Sequence, residues 1–292
     1  MNLAKGLIRS LRPEQWIKNL IVFGALVFSK NFFDIPMIEK TFVMFALFCM
    51  VSSSIYLFND VIDYEKDRVH PRKSKRPIAS GVVSRKNALV LAAILLIVTI
   101  AVSWFVMNEL TLVILLSYTV LNVLYSLVLK HIVILDVMTI AAGFVLRAVG
   151  GGIAISVPIS AWLVVCTILL ALFLGFGKRR HELSSLEGVA VEHRKILEHY
   201  STYFLDQMIS VVTASTVMAY TFYTLSPEVE QKLGVEHLEI SVPFVLYGIF
   251  RYLYLIHKKD EGGSPSRLML TDLPLLINVL LWFVTVLVLM VV

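Results

Sequence analysis

Charge is scarce in this chain. Only 16% of its 292 residues are Asp, Glu, Lys or Arg, 58% are hydrophobic, and the mean hydropathy is +0.81. A soluble globular domain carries about a quarter charged residues, so a soluble enzyme is excluded. Cysteine is scarcer still. Cys49 and Cys166 each lie inside an apolar run with no partner spacing, which excludes a disulfide framework and a thiolate metal site and suggests no redox chemistry. The seven histidines are scattered, without the i, i+4 pairing or cysteine company of a zinc site. No P-loop, GxGxxG or GxSxG pattern falls in a workable context, and tandem repeats are absent. The N-terminus has Lys5 and Arg9 but no short apolar segment followed by a small-residue cleavage site, so no removable signal peptide is expected.

What is present is apolar sequence in lengths that suit a bilayer, which needs roughly 20 such residues per helix. Runs at about 16–33, 38–58, 87–107, 110–128, 133–153, 158–176, 204–225, 240–257 and 271–292 predict an all-α polytopic membrane protein with about nine transmembrane helices in a single domain over 1–292. The charges between the runs test this count. All but five of the 26 lysines and arginines lie before the first run or in alternate connectors. The exceptions are Lys30, Lys40 and Lys232 in the opposite connectors, and Arg147 and Arg251 within runs. Because basic residues are retained on the cytoplasmic side, the N-terminus is expected inside and the C-terminus outside, in the plasma membrane. The net charge of +5 then reads as loops facing cytoplasm and anionic lipid, with no nucleic-acid partner.

The most informative polar segment, Asn59 to Pro71, sits at the cytoplasmic end of the second run. At about 100° per residue, Asn59, Asp60, Asp63 and Asp67 share one helix face. Stacked carboxylates repel unless a cation lies between them, and Mg²⁺ takes carboxylate and phosphate oxygens as ligands. A solvated charged helix end is the alternative, weakened here because acidic groups abutting a membrane helix are costly and usually functional. Arg68 precedes a cationic stretch, Arg72 to Arg76, that runs into the turn-forming Pro77-Ile78-Ala79-Ser80-Gly81. An acidic face beside a basic loop suits a metal-bound diphosphate. Positive-inside topology alone would account for Lys73 and Lys75, so Arg68 and Arg76 are the stronger candidates.

Further polar groups fall on the same side. Tyr125 and Lys130 close the fourth run, and Lys178, Arg179, Arg180, His181 and Glu182 close the sixth. Lys178, Arg179 and Glu182, with Arg147 and Lys130, are expected to wall the cavity opposite the acidic face. Arg147 lies about one turn before Gly150-Gly151-Gly152, and an intramembrane arginine is either a functional residue or a paired structural one. Asp136 is its partner or a substrate contact; spacing does not choose. The connector at roughly 178–203 is amphipathic through Leu183, Leu186, Ile196, Leu197 and Tyr200, and reads as an interfacial helix, a lid or a plain surface helix.

The run NDVIDYEKDRVHPRKSKRPIASG, Asn59 to Gly81, resembles the first aspartate-rich motif of the UbiA prenyltransferase superfamily. The resemblance covers nearly the whole chain. It implies a nine-helix membrane enzyme with a magnesium-dependent cavity open to the cytoplasm. RPEQWIKN (Arg12 to Asn19), the HPRKSKRPIASG extension, the segment from Tyr125 through GFVLRAVGGG, and GKRRHEL resemble the branch that moves phosphoribose from phosphoribosyl diphosphate to a polyprenyl phosphate such as decaprenyl phosphate. This implies substrate contacts for Arg12, Lys18, Asn19 and Lys73. Most members of the superfamily carry a second DxxxD motif at the end of the sixth helix for a second Mg²⁺. Here that place reads Lys178-Arg179-Arg180-His181-Glu182, which suits naked phosphates better.

Three functions compete: phosphoribosyl transfer to a lipid phosphate, prenyl transfer to an aromatic or other acceptor, and cation-coupled transport. A transporter would place its polar groups near the bilayer midplane, whereas nearly all of them lie at cytoplasmic ends. The missing DxxxD favours phosphoribosyl transfer over prenyl transfer. The expected partners are phosphoribosyl diphosphate, the polyprenyl phosphate and the bilayer, with Mg²⁺ as cofactor; a homo-oligomer is left open.

Overall fold

The computed structural model describes residues 2–71, 73–184, 195–259 and 262–291. Arg72 of the basic loop, and residues 185–194 of the connector with Leu186, lie outside the described residues. Among those described the chain is helical throughout, with no strand. Its helices are α1 (Leu3–Ser10), α2 (Gly24–Phe28), α3 (Ile35–Ile62), α4 (Tyr64–Val69), α5 (Arg85–Val106), α6 (Glu109–Leu127), α7 (Leu135–Ala154), α8 (Ala161–Ser184), α9 (Thr202–Thr224), α10 (Pro227–Leu233), α11 (Val242–Lys258), α12 (Pro265–Thr271) and α13 (Leu273–Val291).

Seven helical segments among the described residues are long and apolar enough to cross a membrane: Ile35–Ile62, Arg85–Val106, Glu109–Leu127, Leu135–Ala154, Ala161–Ser184, Leu238–Lys258 and Leu273–Val291. They correspond to seven of the nine expected runs. The other two differ for separate reasons. The first run is a 3₁₀ stretch, Pro13–Phe23, followed by the short α2. The seventh forms α9, long enough to span but diluted by threonines, serines and tyrosines.

Short polar residues start the helices. The side chains of Asp34, Ser84, Asn108 and Ser201 each accept the backbone N–H three residues on, satisfying a donor that the first turn leaves open. Gly81 adopts φ +80° in the turn that leads from the basic loop towards Ser84 and α5.

The chain divides into two compact units. One comprises Met1–Leu26, Asp34–Val128 and Leu146–Pro158. Its core is built on Val22, Met44, Leu47, Phe48, Val51, Ile55, Leu115 and Tyr118, with a second cluster of Leu57, Ile78, Val83, Ala88 and Ala92. Glycine decides how the 3₁₀ stretch meets α7. A Cβ built on Gly151 would stand 2.0 Å from the Val22 carbonyl oxygen, and one on Gly150 would meet Met44 and Phe48 at 2.7 and 2.8 Å. Backbone therefore lies directly on helix at this point, and the residues about one turn earlier on each element, Asn19 and Arg147, come into contact.

The other unit comprises Val27–Phe33, Leu129–Val145 and Ile159–Val292, so α7 gives its first half to this unit and its second half to the former. Phe173, Phe176, Leu197, Tyr200, Leu205, Ile209, Tyr252, Leu255 and Ile256 form its main core. A second cluster gathers Tyr220, Tyr223, Leu233, Leu238, Val286 and Met290. A glycine again sets the approach: a Cβ on Gly175 would lie 2.6 Å from Val137 Cγ1. One turn further along α8, Arg179 reaches Asp136, the neighbour of Val137.

Gly151→Ala tests the backbone crossing. The atom it would strike is a carbonyl oxygen that no rotamer change removes, so a loss at the upper end of the usual overpacking cost of about 1–3 kcal/mol is expected. Thermal denaturation in detergent should show a lowered midpoint, and an unchanged midpoint would mean that the crossing is not tight.

Candidate functional site

The last turn of α3 carries the polar residues out of an apolar helix. Asn59 and Asp60 belong to that turn, Asp63 is its C-cap (φ −85°, ψ 9°), and α4 continues to Val69 with Asp67 on it. Asp60 and Asp67, two turns apart, face the same guanidinium: Arg76 Nη1 lies 3.0 Å from Asp60 Oδ1 and 2.5 Å from Asp67 Oδ2. Arg12, held in the left-handed region at φ 54°, donates through Nη2 to Asp60 Oδ1 at 2.5 Å, and its guanidinium also covers the Tyr56 ring. Lys73 Nζ stands 3.8 Å from Asp67 Oδ1. The structure thus brings Asp60, Asp67, Arg76 and Lys73 together, and Arg12 joins them from 48 residues away. Arg68 points elsewhere, being exposed with its guanidinium 5.6 Å from the centre of the Tyr64 ring. A cavity of about 280 Å³ opens beside the cluster, where Arg9, Arg12, Lys75 and Arg76 face Glu14 and Asp60.

Deeper in the same unit lies Arg147, 5% exposed. Its Nε donates to Asn19 Oδ1 at 2.7 Å and its Nη2 to the Tyr118 hydroxyl at 2.5 Å, with the guanidinium 4.7 Å from the Tyr118 ring centroid. Asn19 in turn donates to Cys49 Sγ at 3.2 Å. Asp136 is eleven residues, roughly 16 Å of helix, away along α7 and pairs with Arg179 instead. Lys18 is half-buried within the electrostatic reach of Arg147 and Arg12. Tyr125 is half-buried in the last turn of α6. The like charges of Arg147 and Arg12 act on Lys18, and a cationic field of this kind suits phosphate.

In the second unit the end of α8 forms its own constellation. Arg179 is 1% exposed. It donates through Nε to Asp136 Oδ2 at 2.7 Å and through Nη1 to Glu182. The Tyr200 hydroxyl donates to Asp136 Oδ1 at 2.7 Å while accepting the Ile134 N–H. Burial and that bond to Asp136 push the Tyr200 phenol well above its ordinary value, so it stays a donor at physiological pH. Lys178 Nζ stands 3.7 Å from Glu182 Oε1 and is partly exposed, and Lys130 is half-buried in the turn before α7. Arg179 was expected to face a phosphate; the structure places it inside the protein, bracing Glu182. Sequence reasoning missed Tyr118 and Tyr200. Tyr118 lies within an apolar run, where tyrosines are common, and Tyr200 stands out in the sequence only as one apolar residue of the amphipathic connector.

The residues suit a divalent ion. Asn59 Oδ1 is buried and has no hydrogen-bond partner among the described residues; Asp60 follows it in sequence with its carboxylate on Arg12 and Arg76, and Asp63 lies one turn on. These are hard oxygen donors. No group of three or more His, Cys, Asp or Glu among the described residues forms a cage by itself.

The model of the UbiA prenyltransferase family matches residues 20–280. The chain is 35% identical to a decaprenyl-phosphate phosphoribosyltransferase of Mycolicibacterium smegmatis, over 98% of this chain and 92% of that protein. It is 33% identical to the Corynebacterium glutamicum protein of the same name, over 96% and 85%. Its fold is similar to that of a UbiA homolog from Archaeoglobus fulgidus bound to GPP and Mg²⁺, with a TM-score of 0.71 and 17% identity over 98% of this chain and all of that one.

Removing one member of a buried ion pair strands the other, at about 3–5 kcal/mol. Asp136→Ala and Arg179→Ala should each destabilise the protein by that order, whereas Tyr200→Phe, which deletes one hydrogen bond, should cost about 1–2 kcal/mol. Denaturation in detergent distinguishes them; equal, small losses for all three would show that the pair is solvated.

Proposed function

The chain belongs to the UbiA prenyltransferase family, and from that premise we propose that it transfers 5-phosphoribose from phosphoribosyl diphosphate to a polyprenyl phosphate, releasing diphosphate. It is an integral membrane enzyme. The observation that carries the choice within the family is the end of α8. Lys178 and Arg179 stand where an acidic second motif would serve a second metal, and the relatives matched over nearly the full chain are phosphoribosyltransferases. About nine membrane-crossing segments around a cavity open to the cytoplasm, a cytoplasmic N-terminus and an external C-terminus in the plasma membrane, and one catalytic domain over 1–292 belong to the same reading.

Asn59 and Asp63 would hold Mg²⁺, with Asp60 and Asp67 in the same acidic set. Bound there, the ion would neutralise charge on the donor's diphosphate. Asp60 and Asp67 also fix Arg12 and Arg76, whose remaining N–H groups meet the leaving diphosphate, with Lys73 at the rim. Lys18, Asn19, Tyr125 and Arg147 line the binding region of their unit, and Arg147 positions Asn19. In the other unit Lys130 and Lys178 meet a phosphate, Glu182 orients a ribose hydroxyl or a cation, and Arg179 holds Glu182 in place.

The acceptor needs little activation. A phosphate monoester has its second ionisation at about 6, so its oxygen is anionic near neutral pH. It attacks the anomeric carbon, the bond from that carbon to the diphosphate oxygen breaks, and diphosphate departs without a proton transfer. The enzyme's work is to hold the reactants in line and stabilise the departing charge. Such a displacement inverts the sugar, giving a β-linked lipid from the α-linked donor.

Incubation of the purified protein with Mg²⁺, labelled phosphoribosyl diphosphate and polyprenyl phosphate should move label into the lipid phase. Transfer from a prenyl diphosphate to an aromatic acceptor, with none from phosphoribosyl diphosphate, would favour ordinary prenyl transfer. Asp63→Ala should lower turnover at least about a hundredfold, the scale of losing a charge-stabilising group, with the protein still folded; full activity in that variant or in EDTA would overturn the metal assignment. Alanine at His70, His131 or His181 should leave chemistry intact, and product with a retained anomeric centre would refute the single displacement.

A further inference from the structure

The N-terminal helix α1 is apolar on two sides. Leu7, with Leu11 just beyond the helix, packs into the cluster of Leu57, Ile78, Val83, Ala88 and Ala92, and Gly6 and Ser10 are buried. At about 100° per residue, Ala4 and Ile8 fall next to that packed face, with Lys5 and Arg9 beyond them. Leu3 and Ile8 are 47% and 61% exposed. Residues 2–12 hold three cations, Lys5, Arg9 and Arg12, and no acid. A helix with an uncovered apolar edge bordered only by cations, just before the first apolar run, has the form of an interfacial helix: apolar edge at the acyl boundary, cations in a headgroup layer.

We propose that α1 docks on the anionic headgroups of the leaflet beside it, with the exposed edge of Ala4 and Ile8 in the acyl boundary and Lys5 and Arg9 against lipid phosphates, and that this docking sets the position of Arg12. The inference rests on the cytoplasmic placement of the N-terminus proposed above, the side on which anionic lipid is concentrated. The link to the site is short. The Leu11 carbonyl accepts the Ser53 hydroxyl at 2.9 Å, the next residue turns into the left-handed region, and its guanidinium meets Asp60. Arg9 lines the same cavity as Arg12 and Asp60, so a shift of α1 moves a wall of that cavity. The occupant is lipid and not a protein partner, because the apolar edge is two side chains wide and continues directly into a membrane protein's first apolar run.

The test reads docking on the protein itself. An environment-sensitive fluorophore on Ala4→Cys, in a Cys166→Ala background, is reconstituted into vesicles of phosphatidylcholine alone or with phosphatidylglycerol added, each containing a shallow nitroxide-labelled lipid. Quenching should be stronger in the anionic vesicles and should weaken at high salt. Each basic residue near such a surface is worth about a fivefold change in the docked fraction, so Lys5→Gln should lower the docked-to-undocked ratio by about that factor, and Lys5→Gln with Ile8→Gln by more. In transferase assays the parent should gain rate with phosphatidylglycerol, while the double variant should stay near the parent's rate in neutral vesicles. Equal quenching in the two vesicle types, or in parent and double variant, would overturn the proposal, as would lipid-dependent rates identical in parent and variant. Lipid-dependent quenching with no phosphoribosyl transfer under any condition would leave docking standing and refute the transferase reading alone.

Discussion

A charge held at or inside an apolar layer must be partnered, because moving it unpaired out of water costs several kcal/mol even after relaxation. The structure is organised by that requirement. Arg179 has Asp136 and Glu182, Asp60 and Asp67 have Arg12 and Arg76, Arg147 has Asn19 and the Tyr118 hydroxyl, and Arg251 forms a two-pronged pair with Asp272. Arg12 with Asp60, Arg147 with Asn19 and Tyr118, and Arg179 with Asp136 join elements far apart in sequence, so these polar contacts tie together helices whose apolar surfaces give no register of their own. Between apolar helices in lipid the hydrophobic effect offers little discrimination, and close packing and hydrogen bonds decide which faces meet.

Close packing is supplied by glycine at two points on one pattern. Gly151 admits the Val22 carbonyl, and about a turn away Arg147 meets Asn19; Gly175 admits Val137, and a turn away Arg179 meets Asp136. In both units a glycine admits a close neighbour, the Val22 backbone in one and the Val137 side chain in the other, about a turn from an arginine that reaches its acceptor. Packing and electrostatics are thus one arrangement, and a methyl group at either glycine would be felt at the arginine.

The two constellations differ in the character of their charges. The α3–α4 junction sets Asp60 and Asp67 against arginines, while at the α8 end Lys178, Arg179 and Arg180 face Glu182, Asp136 and Asp206. Neither supplies an evident strong base. That agrees with an acceptor already anionic at neutral pH, for which orientation and charge stabilisation suffice.

How much of this was legible in the sequence follows from the range over which each feature is encoded. Apolar run length and cation asymmetry are local sums, so the helical membrane class and seven of the spans could be read directly. The acidic face was legible because a helix maps spacing onto direction, and Asp60 and Asp67 do meet one guanidinium. The 3₁₀ course of Pro13–Phe23 was not legible, nor was its close approach to a glycine more than a hundred residues away, which lets backbone lie on helix. The role of Arg179 was not legible either. A cation at a helix end looks the same in sequence whether it faces phosphate or is buried, and only the fold brought Asp136 and Tyr200 to it. The chain by itself determined which residues carry charge and on which helix they ride; the tertiary structure decided which of those charges satisfy one another, because pairing depends on distances of a few ångströms that helix-local periodicity does not encode.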